Sequence, residues 1–139
     1  MVDGSDRPPL EVLELDHVVL RVKDQAASQR FYTSILGLTL DHVNEKARLV
    51  QLRAGRHLID LLPLAPGETA APTARMDHVC LSVRCDDLAR ASAWLRQRGV
   101  TVEGDVVARR GAFGDGDSLY IQDPDGYRIE LKPRAGAHS

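Results

Sequence analysis

The feature that most constrains how this chain can fold is a repeat. The segment LDHVVLRV, beginning at Leu15, returns as MDHVCLSV, beginning at Met76, so that His17 is matched by His78. LGLTL at Leu36 to Leu40 is echoed by RGVTV at Arg98 to Val102, which pairs Gly37 with Gly99. IDLLP at Ile59 to Pro63 then mirrors IELKP at Ile129 to Pro133, with Gly55 and Gly126 just ahead of them. Three matches in the same order, within 139 residues, predict one domain built from a duplicated module.

Each copy reads as strand, helix and three further strands. Val18, Leu20 and Val22 alternate with His17, Val19 and Arg21, the period of a half-buried strand. Asp24 is placed to cap a helix whose apolar residues are Ala27, Phe31, Ile35 and Leu36, with Gly37 supplying a left-handed stop. In the second copy Asp86 or Asp87 caps, Leu88, Ala91 and Leu95 form the stripe, and Gly99 ends the helix. The remaining strands are predicted near 38–44, 47–54, 57–62, 101–109, 118–122 and 128–131, with Asp123-Pro124-Asp125-Gly126 as a turn. The expected class is α+β: two tandem βαβββ modules, residues 11–64 and 76–133, joined by a linker at 65–75. Loose tails are expected at 1–10 and 134–139.

Composition excludes several function classes. Eighteen basic against 20 acidic residues leave a net charge of -2, not the basic surface that nucleic acid selects. No apolar run approaches the roughly 20 residues of a membrane span, and MVDGSDRPPL lacks a signal core, so neither membrane nor export is expected. Cys80 and Cys85 are the only cysteines and form no CxxC, which argues against a disulfide framework or thiolate zinc cluster and fits a reducing cytoplasm.

Strand alternation puts His17 and Arg21 on the face away from the helix, with His78, Cys80 and Ser82 in the second copy. The same rule gives that face Asp60 in one copy, and Arg128, Glu130 and Lys132 in the other. Each module thus offers one imidazole and one carboxylate. Carboxylates held away from water need a counter-charge, and two His with two carboxylates suit a divalent zinc, nickel, cobalt, manganese or iron ion. Singly, each residue has a blander explanation: Glu130 as an ion-pair partner of Arg128 or Lys132, Asp60 as a solvated edge carboxylate. Recurrence at matched positions favours His17, Asp60, His78 and Glu130 as metal ligands. Cys80 shares the His78 face, where lining the site is one role, but it reads first as a buried small apolar residue. Asp16 and Asp77 read as caps at strand starts, and His42, His57 and His138 as surface groups or, for His57, the edge of a turn.

The stretches HVVLRVKD and FYTSILGLTL at 17–40, DHVCLSV at 77–83 and QDPDGYRIEL at 122–131 resemble the vicinal oxygen chelate superfamily, and glyoxalase I most of all. The resemblance spans Leu15 to Pro133. It implies paired βαβββ modules forming a cup-shaped mixed sheet around one divalent metal ion, in a homodimer acting on a small molecule. It places His17, His78 and Glu130 on metal ligands, Asp60 where glyoxalase I has a glutamate, and Arg21 on a residue that binds a carboxylate of glutathione. Two features depart from the pattern. Asp60 is shorter than glutamate by one methylene, about 1.5 Å of reach. The segment LLPLAPGETAAPTARMD also lacks the asparagine that helps hold glutathione.

The activity so implied is a glyoxalase-type lyase that isomerises a 2-oxoaldehyde–thiol hemithioacetal, with Glu130 and Asp60 as catalytic carboxylates, Glu130 shuttling the proton. The alternatives are a dioxygenase or thiol transferase using only His17, His78 and Glu130, an epimerase acting beside a thioester, and a bleomycin-resistance-like protein that sequesters a drug without catalysis.

Overall fold

The computed structural model of the chain describes residues 13–68 and 76–134. The expected N-terminal tail, most of the linker, His138 and all of the C-terminal tail except Arg134 lie outside the described residues. Strand β1 (His17–Val22) leads into helix α1 (Gln25–Arg30), then β2 (Thr39–Asn44), β3 (Leu49–Ala54) and β4 (His57–Pro63). The second module repeats the order with β5 (Val79–Val83), α2 (Leu88–Gln97), β6 (Thr101–Gly111), β7 (Gly114–Gln122) and β8 (Arg128–Pro133). Each module forms its own four-stranded mixed sheet, in the orders β1-β4-β3-β2 and β5-β8-β7-β6. In each, the first strand runs parallel to the last, and the other pairs are antiparallel.

The caps lie where short acceptor side chains preceded the apolar stripes. Asp24 accepts from the Ala27 amide at 3.0 Å, and Asp87, rather than Asp86, accepts from Arg90 at 3.1 Å. Gly37 and Gly99 both take positive φ, 79° and 78°, where a side chain would be strained. Beyond Arg30 the first helix widens into a π-helical turn, Phe31–Ile35, in which the Leu36 amide reaches back five residues to the Phe31 carbonyl at 3.2 Å. This turn buries Phe31 and Tyr32.

Leu20, Val22, Val50, Leu52, Ile59 and Leu61 supply the first module's share of the core, and Leu88, Leu95, Leu119, Ile121 and Ile129 the second's. The modules are also tied by polar contacts from the predicted turn. Asp123 accepts from the Tyr32 hydroxyl at 2.8 Å, and Asp125 from the Lys23 amide at 2.8 Å and the Ser28 hydroxyl at 3.2 Å. Tyr127 returns the link by donating to the Arg21 carbonyl at 3.0 Å.

The β6–β7 hairpin is longer than its sequence suggests. Strands expected to stop at Arg109 and restart at Ser118 continue through Arg110 opposite Asp115 and Gly111 opposite Gly114. Glycine-rich GAFGDGD reads as loop, but ladder hydrogen bonds need only backbone, and here the bare backbone leaves room for another side chain.

Candidate metal centre

On β1 the core takes Leu20 and Val22, leaving His17, Val19 and Arg21 exposed on the opposite face. On β4 the core takes Ile59 and Leu61. Asp60 therefore points to the uncovered face, yet it is only 3% exposed, which removes the solvated-edge explanation. His17 Nε2 lies 4.0 Å from Asp60 Oδ2. Gln51, directly opposite Asp60 on β3, donates its amide to both carboxylate oxygens at 3.2 Å.

The second module makes the same arrangement more tightly. His78, just ahead of β5, holds Nε2 3.0 Å from Glu130 Oε1. Ser118 donates to Glu130 Oε2 at 2.7 Å and Tyr120 to Oε1 at 3.1 Å. Burial pushes the Glu130 carboxyl up, but these hydroxyls and His78 outweigh it and hold the group below its ordinary value. Glu130 is thus no partner of Arg128 or Lys132. Arg128 instead bonds Glu103 at 3.0 Å and Asp77 at 3.0 Å, and Lys132 bonds the Arg109 carbonyl at 2.8 Å.

Asp16 and Asp77 are not simply strand caps. Asp16 Oδ1 stands 2.7 Å from His17 Nδ1, and Asp77 Oδ2 stands 2.7 Å from His78 Nδ1. An ionised carboxylate only accepts, so each ring donates from Nδ1, and that bond fixes the ring with Nε2 turned toward its module's carboxylate. The Asp16 bond also raises His17 above its ordinary pKa, against the effect of burial, and the His78 bond lowers that of Asp77. Imidazoles held at one nitrogen by a carboxylate, with the other nitrogen facing the site, are the usual form of metal-ligating histidine. Recurrence of Asp before each His was the available signal. Gln51, Ser118 and Tyr120 carried none, because strand pairing, not spacing, brings them in.

Cys80 corrects another expectation. It is exposed rather than fully buried, and lies opposite Glu130 in register on the ligand face. Partial burial, with the Glu130 carboxylate beside it, pushes its thiol up to about 11. Arg21 is exposed on the His17 face, as expected. His42 is exposed on β2, while His57 lies 3.6 Å from Glu14. The cleft between α1 and the Asp123–Gly126 turn contains none of the four ligands.

The ligands are therefore gathered in twos. Among the described residues no three His, Cys, Asp or Glu side chains come together as a metal-binding group. The donor chemistry nevertheless suits one divalent ion shared between two such pairs, each offering an imidazole nitrogen beside a buried carboxylate whose other contacts are donors.

The chain matches the model of the Glyoxalase/Bleomycin resistance protein/Dioxygenase superfamily over residues 14–131. It belongs to that superfamily. It is 33% identical over 129 residues to a lactoylglutathione lyase of Salmonella typhimurium, covering 86% of this chain and 91% of the relative. A virulence protein of the same organism is 31% identical over 121 residues, covering 84% of this chain and 81% of the relative. The crystal structure of that virulence protein superposes with a TM-score of 0.72 at 28% identity, covering 91% of this chain and all of the other. A fosfomycin resistance protein of Listeria monocytogenes, 17% identical with a TM-score of 0.68 over 91% of this chain and 97% of its own, shares the fold. Superfamily membership and the paired mixed sheets agree with the two tandem βαβββ modules expected from the repeat.

Proposed function

We propose that this protein is a metal-dependent lyase of the glyoxalase type, converting a 2-oxoaldehyde–thiol hemithioacetal into an S-2-hydroxyacyl thioester. The observation that carries this reading is the duplicated half-site, His17 with Asp60 and His78 with Glu130, each imidazole oriented by the aspartate before it. The similarity to lactoylglutathione lyases supports the reaction class. A metal held by His17, Asp60, His78 and Glu130 would supply Lewis acidity that makes the substrate's C1 proton easier to remove.

The protein's own residues then divide the work. Glu130 takes the C1 proton and returns it to C2, and the Ser118 and Tyr120 hydroxyls keep its carboxylate aimed while it does so. Asp60, held by Gln51, completes the ligand set from the first module. Arg21 binds a carboxylate of the thiol. Since one chain gathers the ligands only in pairs, the reading includes a homodimer in which a half-site of one protomer meets the complementary half-site of its partner.

The test is turnover of methylglyoxal with glutathione or another cellular thiol by protein loaded in turn with zinc, nickel, cobalt, manganese and iron(II). Glu130→Gln should remove activity more completely than Asp60→Asn, because the amide keeps the size but cannot accept the proton. Catechol cleavage or thiol addition to an epoxide, with no hemithioacetal activity, would transfer the site to the three-ligand alternatives. Tight metal-free binding of a drug-like ligand with none of these activities would favour sequestration.

A further inference from the structure

The two half-sites match at their ligands and diverge one step further along the sheet. Register sets Arg21 beside Leu62 in the first module and Ser82 beside Lys132 in the second. Each module therefore carries one cation at this level of the ligand face, on its first strand in one case and its last in the other. Arg21 has a role in the proposed reaction, but Lys132 has none.

Lys132 is an unusual residue to find there. It is 7% exposed, and its ammonium donates to the Arg109 carbonyl. It takes part in none of the ion pairs among the described residues. Glu130, two residues away on the same face, is already engaged by His78, Ser118 and Tyr120. The surroundings add positive charge: Arg109 Nε donates to the Tyr120 hydroxyl at 3.3 Å, and Arg134 Nε to the Ser82 hydroxyl at 3.2 Å. Neither arginine belongs to an ion pair among the described residues. An ammonium withdrawn from water without a counter-ion is costly, and an arriving anion offsets that cost.

Space for the lysine is built into the long hairpin. A Cβ on Gly111 would stand 2.9 Å from Lys132 Cε, and one on Gly116 would stand 3.3 Å from Nζ. The same contacts would serve a lysine that merely tied the hairpin to β8. A tie needs only a donor for the Arg109 carbonyl, however, and an uncharged amide would do.

We propose that Lys132 and the Ser82 hydroxyl form an oxyanion subsite that takes a carboxylate or phosphonate carried by the substrate, the second module's counterpart of Arg21. The inference rests on reading the ligand face as the substrate face. It is tested on full-length, nitrogen-15-labelled protein treated with chelator, by titrating acetate and, separately, methylphosphonate while following the amides of Ser82, Gly111, Gly116 and Lys132. Saturable shifts are expected, and the anion that saturates at lower concentration identifies the group. Lys132→Arg should retain binding, and Lys132→Gln should weaken it about tenfold, as expected for loss of a charged hydrogen bond. Absence of saturation with both anions, or wild-type binding by Lys132→Gln, would overturn the proposal. If Lys132→Gln displaces the Gly111 and Gly116 resonances before any anion is added, Ser82→Ala decides: weakened binding supports the subsite and unchanged binding overturns it. The titrations need no metal, so their failure would be distinct from a failure of the metal centre.

Discussion

His78 Nε2 stands 3.0 Å from Glu130 Oε1, while Nδ1 of the same ring is held 2.7 Å from Asp77. The first module repeats the arrangement with a wider gap, 4.0 Å from His17 Nε2 to Asp60 Oδ2. The wider gap goes with the shorter side chain, since aspartate has one methylene less with which to reach the imidazole.

Removal of the Nδ1 acceptor should loosen the metal without touching a ligand. Asp77→Ala is expected to lower metal affinity by about ten- to a hundredfold, the usual effect of losing such a partner. Asp77→Asn should fall between the two, since its amide oxygen still accepts from Nδ1. Competition with a chelating dye measures the affinity, and nitrogen-15 shifts of the imidazoles report whether the ring keeps its proton on Nδ1. Unchanged affinity and tautomer in Asp77→Ala would limit Asp77 to its ion pair with Arg128.

The hydrogen bond between Tyr32 and Asp123 predicts a pH-dependent stability effect. Burial raises the Asp123 carboxyl, partly offset by the bond from Tyr32. A carboxyl raised in the folded state binds its proton more tightly there than when unfolded. Its influence on stability is thus most favourable below the unfolded pKa and is lost as pH rises through the folded value. Tyr32→Phe removes a donor to the charged form and should cost about 1–3 kcal/mol at neutral pH. The cost should shrink towards the carboxylate range, where a protonated Asp123 no longer depends on that donor. Denaturant melts of both proteins at pH 7 and near pH 4 measure the difference, and a penalty that grows on acidification would contradict it.

The architecture and the facing of the four ligands were legible because both rest on period. Val18, Leu20 and Val22 can share the core side only if His17 and Arg21 face the other way. Residues that arrive through pairing between strands were not legible. Gln51 and Tyr120 hold the two carboxylates from across the sheet, and their chemical types differ between the copies, so the repeat gave no sign of them. The π-helical turn after Arg30 was also hidden, because Phe31 and Ile35 keep an apolar spacing that an ordinary helix satisfies equally well. Alternation with Val79 and Leu81 set Cys80 on the ligand face correctly, but its exposure was misjudged by type, since a free cysteine is so often buried.

A site shared between two protomers predicts complementation. A chain carrying His17→Ala with Asp60→Ala retains only the second half-site, and one carrying His78→Ala with Glu130→Ala retains only the first. Mixed, unfolded together and refolded, the two should regain about a quarter of the wild-type metal content, because random pairing makes half the dimers mixed and gives each one intact site. Metal content no higher than in either variant alone would place both half-sites of one centre within a single chain.

The central claim is that the matched side chains His17, Asp60, His78 and Glu130 hold a divalent ion. Metal analysis of purified full-length protein, after incubation with zinc, nickel, cobalt, manganese or iron(II) and removal of free ion, tests it directly. One equivalent per chain is expected with the preferred metal, with most of the affinity lost in His78→Ala. Less than about a tenth of an equivalent with every metal would contradict it, as a specific site should fill well beyond that level.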